Sequence, residues 1–315
     1  MNRTVLAADF GGTNLRAAIV EEGGEILERH NILTPSEAAP DAILARVGEL
    51  LAGIVPAAGE RPVAACLAVP GLINADEGKV IVAPNIAGFR NLVLTTPIEE
   101  RLGIPTYIEN DASAAGLGEF RFGAGRGTRH LLHATLGTGI GGGIVIDGRL
   151  YRGAKGLAGE IGHIVIDPRG PRCNCGSRGC LEAMVSGVAF AERAKKLMAA
   201  GKAPILSGQV GEREPKARDL FAAAQQGEQV AEAEIRHGGH LLGLGLGSLV
   251  NVLNPDAVTL SGGLVNMGEM LLGPLRGGMY SIAYGPASGT IVRLSELGDD
   301  AGLLGAAAVA FERAG

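Results

Sequence analysis

Thr4-Val5-Leu6-Ala7-Ala8-Asp9-Phe10-Gly11-Gly12-Thr13-Asn14-Leu15-Arg16-Ala17-Ala18-Ile19-Val20 runs from a β-rich stretch through a polar glycine turn into a second β-rich stretch. Thr4–Ala8 and Leu15–Val20 read as strands, and Glu22-Gly23-Gly24-Glu25 is a hairpin signal leading to a third near Ile26–Ile32. A strand follows the glycines where a helix would be needed, and the turn carries no Gly-Lys-Ser/Thr. It is therefore neither a Rossmann fingerprint nor a Walker loop. Glycine lets backbone N–H groups converge on an anion with no side chain in the way. Asp9 beside it can hold Mg²⁺ through water, and the Thr13 hydroxyl can touch a phosphate. Taken alone, the same residues also make an ordinary tight turn.

The pattern then restarts. His130–Leu136 reads as a strand, Gly137-Thr138-Gly139-Ile140-Gly141-Gly142-Gly143 as a turn, and Ile144–Ile146 as a strand before an Asp147-Gly148 hairpin turn. This repeats a supersecondary unit without repeating its sequence. A third turn, Ser261-Gly262-Gly263, follows the strand Ala257–Leu260 and suits the close approach of a flat base or ribose. Together the three turns argue for a nucleoside triphosphate clamped between lobes.

Helical periods fill the intervals. Pro40–Ala57 carries Ile43, Leu44, Val47, Leu50, Leu51 and Ile54, and Thr95–Leu102, Asp111–Phe120, Val185–Ala199, Ala217–Gln226 and Glu228–Leu253 also read as helices. Val63–Val69, Thr106–Glu109 and Thr290–Arg293 read as strands, and a last helix, Asp300–Arg313, starts with acidic residues at its positive end. Gly201–Pro215 reads as a polar surface excursion. The expected architecture is α/β: two lobes facing each other across a cleft. The N-terminal lobe is expected at 1–110, with the C-terminal helix 300–315 packing back on it. The other lobe, 111–299, carries a metal-binding loop.

That loop reads His163-x9-Cys173-x-Cys175-x4-Cys180-x-Glu182. Thiolate and imidazole are the donors Zn²⁺ prefers, so His163, Cys173, Cys175 and Cys180 suit a closed tetrahedral site. Cys-x-Cys is tighter than the usual finger spacing, so a generic zinc finger does not fit. Three buried thiols with a core histidine, or a disulfide pair, are the plainer alternatives.

Carboxylates and amides cluster around these motifs. Glu109-Asn110-Asp111 ends a strand and enters a helix, which suits either helix capping or a general base held near an acceptor hydroxyl. Glu160 lies three residues before His163, and Glu182 two after Cys180. A rigid metal loop would aim both at neighbouring hydroxyls, and a sugar is the natural ligand for such a set. Asn85 is a further amide, on local grounds a turn residue.

Composition excludes several classes. Of 315 residues, 46% are hydrophobic and 19% charged, which marks a globular chain with a real core. A net charge of −5 without a basic block, no tryptophan and 3% aromatics argue against nucleic-acid binding. No apolar stretch is long enough to span a bilayer, and Asp9 interrupts the first apolar run, so no membrane partner or leader is expected. Few cysteines at metal-ligand spacing point to a reducing compartment, and a cytoplasmic protein is expected.

Asp9–Asn14, Glu109–Asp111, Leu136–Gly143, Gly159–His163 with Cys173–Glu182, and Ser261–Leu264 together resemble the ROK family of repressors and sugar kinases, within the actin-like (ribonuclease H-like) phosphotransferases. The resemblance covers nearly the whole chain and is most like the bacterial glucokinases. It implies ATP-dependent phosphorylation of the 6-hydroxyl of glucose, with ATP, Mg²⁺ and structural Zn²⁺. Asp111 would be the base. Asn85, Asn110, Glu160, His163 and Glu182 would bind sugar hydroxyls, His163 also ligating zinc with the three cysteines. Asp9, Gly11, Gly12, Thr13 and Asn14, with Gly137, Thr138, Gly139, Gly141 and Gly142, would hold the phosphates, and Gly262 and Gly263 would lie against the nucleoside. It further implies a homodimer or homotetramer. The alternatives are an N-acetylglucosamine or N-acetylmannosamine kinase and a non-catalytic sugar sensor. Family repressors carry an N-terminal helix-turn-helix, for which a hairpin starting at residue 4 leaves no room, so an enzyme is expected.

Overall fold

The computed structural model describes residues 3–11, 14–34, 39–55, 61–83, 86 and 89–315. The chain forms two compact units: Met1–His133 with Gly143–Gly159 and Ser295–Gly315, and Ala134–Gly142 with Glu160–Leu294.

In the first unit, β1 (Thr4–Phe10), β2 (Asn14–Glu21) and β3 (Ile26–Leu33) form the expected antiparallel meander. After α1 (Pro40–Ile54), β4 (Ala65–Val69) joins parallel to β1. Strands β5 (Leu72–Asn74), β6 (Lys79–Val82) and β7 (Arg90–Val93) make a small separate antiparallel sheet, too short to show alternation in the sequence. Helix α2 (Thr95–Leu102) then leads to β8 (Thr106–Asn110), parallel to β4, and to α3 (Asp111–Phe122). The main sheet order is β3-β2-β1-β4-β8.

The two-residue period of β1 divides its side chains between two cores. Leu6, Ala8 and Phe10 pack with Ile43, Val47 and Leu51 of α1 and Ile98 of α2. Val5 and Ala7 pack on the other side with Leu117 of α3 and Leu303, Ala306, Ala307 and Ala310 of the C-terminal helix. Each fully buried aliphatic side chain contributes about 1.5–3 kcal/mol. Alanines and glycines let the C-terminal helix approach closely. A Cβ at Gly305 would stand 1.7 Å from the Ala114 carbonyl oxygen of α3. The sequence divides the chain after residue 110, whereas 111–133, 143–159 and 295–299 belong to the first unit, α3 through this packing on the C-terminal helix.

The second sheet has the order β11-β10-β9-β12-β13, from β9 (Leu131–Leu136), β10 (Ile140–Ile146), β11 (Arg149–Leu150), β12 (Ala257–Ser261) and β13 (Ile291–Leu294). Strand β10 starts at Ile140, so Gly141, Gly142 and Gly143 are strand residues, where the sequence suggests a turn through Gly143. Close packing explains the glycine there: a Cβ on Gly143 would meet the Gly116 Cα of α3 at 3.0 Å.

The helix expected at Val185–Ala199 is two, α4 (Leu181–Val185) and α5 (Gly187–Ala199). They break at Ser186, whose side chain accepts from the Ala189 N–H and caps α5. The supposed excursion 201–215 contains α6 (Pro204–Val210), followed by α7 (Ala217–Gln225) and α8 (Gln229–Leu253). Helix α9 (Glu269–Ile282) has no counterpart in the sequence reading, because Pro274 and three glycines mask its period. Helix α10 (Ala301–Ala314) is the expected C-terminal helix. Among the described residues, no helix is long and apolar enough to cross a membrane.

Candidate active site

In the first unit two of the expected site residues, Asn110 and Asp111, lie where β8 turns into α3. Asn110 is the N-cap of α3: its Oδ1 accepts the Ser113 N–H at 3.0 Å, and its Nδ2 donates to the Gly71 carbonyl at 3.1 Å. Capping and function do not compete here, because the amide does the capping and Asp111 follows as the first helical residue. Asp111 is half-buried and its Oδ1 accepts the N–H of Ala112 at 2.9 Å. A carboxylate there also lies at the positive end of the helix, where a negative charge interacts favourably with the helix dipole. Glu109, one residue earlier, is buried. Its Oε2 accepts from Arg152 Nε at 2.7 Å and its Oε1 from the Asn110 N–H at 3.1 Å.

The first glycine turn closes with the Gly11 N–H donating to the Asn14 carbonyl at 2.9 Å. Asn14 is exposed, and the Thr34 hydroxyl donates to the Gly11 carbonyl at 2.7 Å. Gly12, Thr13 and Asn85 lie outside the described residues. Asp9 pairs with Arg16, its partner across the hairpin, at 2.7 Å. Burial raises the Asp9 carboxyl above the usual range against the opposing pull of Arg16, and Asp299 and Asp300 add to the rise.

In the second unit the metal-ligand set is brought together as the spacing suggests. One donor atom from each of His163, Cys173, Cys175 and Cys180 lies within 4.8 Å of the others. Cys173 Sγ is 3.6 Å from His163 Nδ1, and Cys175 Sγ is 3.6 Å from Cys180 Sγ. Tetrahedral zinc with ordinary bond lengths requires ligand separations of about 3.5–3.8 Å, so the four residues fit the ion. Among the described cysteines there is no disulfide, and Cys66, the fourth, is buried in the other unit. Burial, then Cys175 and Cys173, push the Cys180 thiol up to about 12, so the set must release protons to take a cation.

His163 turns Nδ1 to this cluster and Nε2 toward Glu160, at 3.8 Å from Oε2. One ring nitrogen thus remains for each of the two roles assigned to it. Burial raises the Glu160 carboxyl, with His163 opposing and Glu182 adding. Glu182, on the first turn of α4, reaches the second glycine turn, where its Oε2 accepts the Ile140 N–H at 2.9 Å. A Cβ at Gly139 would meet that oxygen at 2.4 Å, so only glycine admits the carboxylate there. The Gly187 N–H of α5 donates to the Gly137 carbonyl at 2.8 Å, and Thr138 at the tip is exposed. Gly141 and Gly142 continue along β10. At the third turn, Gly262 has φ 88° and a Cβ there would strike the Leu136 carbonyl oxygen at 2.4 Å. A Cβ added at Gly263 would meet nothing within 4 Å.

The sequence reading missed Arg16 and Arg152. Arg16 has a signal, since pairing the first hairpin residue by residue sets it opposite Asp9. Arg152 has none, being 43 positions from its partner.

The ROK family model matches residues 5–313. The chain is 36% identical over 313 residues to a glucokinase of Thermotoga maritima, covering 99% of this chain and 98% of that one. It is 37% identical over 316 residues to a glucokinase of Streptomyces coelicolor, covering 98% and 97%. The structure of a ROK glucokinase from Streptomyces griseus, in complex with glucose and AMPPNP, superposes with a TM-score of 0.81 at 35% identity, covering 98% and 99%. The fold and the site together define a two-lobed α/β sugar kinase of the actin-like kind. This chain belongs to the ROK family.

Proposed function

We propose that this protein transfers the γ-phosphoryl group of ATP to the 6-hydroxyl of glucose. The observation that carries the reading is the double engagement of Glu182. Its carboxylate belongs to the group Glu160, His163 and Glu182, which suits a polyhydroxyl ligand, and it also holds the backbone of the turn at Gly139-Ile140. Hydroxyl-binding groups and a phosphate-type turn on one rigid piece are what phosphoryl transfer to a sugar requires.

Asp111 takes the proton of the 6-hydroxyl as the new O–P bond forms and the bond to the β-phosphate oxygen breaks, ADP leaving with the electron pair. A positioned base contributes about 10²–10⁴-fold, and the rest comes from alignment and charge stabilisation. Asn110, Glu160, His163 and Glu182 hold the sugar, with Asn85 as a further amide. Asp9, Gly11, Gly12, Thr13 and Asn14, with Gly137, Thr138, Gly139, Gly141 and Gly142, bind the phosphates, and Gly262 and Gly263 face the nucleoside. Mg²⁺, when bound, neutralises charge on the phosphates. His163, Cys173, Cys175 and Cys180 would hold zinc with no open coordination position, so the ion would shape the loop and take no part in the chemistry. A homodimer or homotetramer in the cytoplasm completes the proposal.

The test is a panel of glucose, mannose, N-acetylglucosamine and N-acetylmannosamine, each with ATP and Mg²⁺, the product located by NMR. Glucose is expected to give the highest kcat/KM, with phosphate on the 6-oxygen. A higher value for an N-acetylated sugar would overturn the sugar assignment, and no ATP consumption with any of the four would overturn the kinase.

A further inference from the structure

We infer that Arg152 is a positioning residue for the phosphoryl acceptor: it holds Glu109, and through Glu109 the Asn110-Asp111 peptide, in the geometry that turnover needs. The inference rests on the role proposed for Asp111.

The connection is continuous. Arg152 Nε donates to Glu109 Oε2 at 2.7 Å, and the other oxygen of that carboxylate accepts the Asn110 N–H at 3.1 Å. That peptide leads directly into Asp111, and the Asn110 side chain is tied at both ends, to Ser113 N–H and to the Gly71 carbonyl. Glu109 is only 3% exposed and sits on β8, opposite Ala68 of β4. A buried carboxylate without a cation is costly, so it would swing toward water and release the Asn110 N–H. Among the described residues, Arg152 is the only cation paired with it.

Arg152 has a second hold on the acceptor side. Its carbonyl accepts the Ala158 N–H at 3.0 Å and closes a loop that runs from Gly153 to Gly159, immediately before Glu160. Gly153, Gly156 and Gly159 all have positive φ in this loop, so its shape depends on such ties. The bond to Glu109 comes from Nε, in the plane of a rigid guanidinium, and a lysine ammonium cannot reproduce that direction.

The experiment compares Arg152→Met, Arg152→Lys, Glu109→Gln and Glu109→Gln/Arg152→Met with the parent, reading kcat and both KM values with glucose and MgATP. Misplacement of a reacting group by about 1 Å costs up to about 10²-fold, so Arg152→Met is expected to lower kcat by roughly 10–100-fold with the KM for ATP unchanged. Arg152→Lys should recover part of that loss. In the double variant no buried charge is left, and the amide carbonyl that replaces the Glu109 carboxylate can still accept the Asn110 N–H, so it should be more active than Arg152→Met. Parental kcat in Arg152→Met would overturn the inference, as would losses that simply multiply in the double variant. If Arg152→Met does not fold, Arg152→Lys decides: reduced kcat at unchanged KM for ATP supports the role and parental kcat overturns it. An active Asp111→Asn variant would instead overturn the role of Asp111 as base, so the two failures are distinguishable.

Discussion

His133 shows at the scale of one residue how the interior is tuned. It is fully buried on β9, and desolvation holds its imidazole down at about 4 against the opposing charge of Glu119. The folded protein therefore keeps His133 neutral where the unfolded chain, with an ordinary value of 6.5, takes up a proton. The sign follows directly: the stability associated with His133 is complete above about pH 6.5 and is lost as the pH falls toward about 4, by about 3 kcal/mol in all. Urea titrations of parent and His133→Gln at about pH 7 and about pH 5 check this. The parent should lose markedly more stability than the variant between the two values, and equal losses would contradict the assignment. Nothing local in the sequence marks His133, because burial is a property of the assembled sheet. The cluster of His163, Cys173, Cys175 and Cys180 was legible for the opposite reason. Cysteine and histidine at that spacing have few other uses, and the three thiols lie close in sequence, so the chain itself brings them together. Glu109 and Arg152 fall between these extremes: the first was visible beside Asn110 and Asp111, while its partner is fixed only by tertiary structure.

Among elements, the contact of α3 with α10 is closest where Gly305 faces the Ala114 carbonyl. Gly305→Ala tests it well because two effects oppose. Alanine in a helix interior is favoured over glycine by about 1 kcal/mol, whereas overpacking costs about 1–3 kcal/mol and more when backbone is struck. With the Ala114 carbonyl oxygen 1.7 Å from the added Cβ, the steric cost should win. The expected result is a lower melting temperature by several degrees, and an unchanged or raised one would contradict the packing. Elements with an uninterrupted pattern were readable from the sequence: α2 spans the expected Thr95–Leu102, and β12 (Ala257–Ser261) runs one residue beyond the expected Ala257–Leu260. Elements whose glycines serve close packing were misread. Gly141–Gly143 suggested a loop, yet they are strand residues of β10, Gly143 packing closely on α3, and α9 was hidden by the glycines and Pro274 within it. Glycine composition alone does not distinguish a turn from a tight crossing.

Two proposals belong to the scale of the whole molecule: a metal fixes the loop bearing Glu160, His163 and Glu182, and Asp111 does the proton chemistry. Cys175 is exposed, so Cys175→Ser removes a ligand with little loss of packing. The parent should contain about one zinc per chain by elemental analysis. The variant should contain much less, and its KM for ATP should rise, since Glu182 ties the metal loop to the turn at Ile140. A parent free of zinc, or a variant indistinguishable from it, would contradict the metal assignment. Asp111→Asn keeps the size of the side chain and its contact with the Ala112 N–H, so the fold should survive while the capacity to take a proton is lost. The direct measurement is kcat for parent and Asp111→Asn with glucose and MgATP, beside their melting curves. A fall of about 10²-fold or more in a variant that melts like the parent is expected. Turnover within a few-fold of the parent would contradict the account.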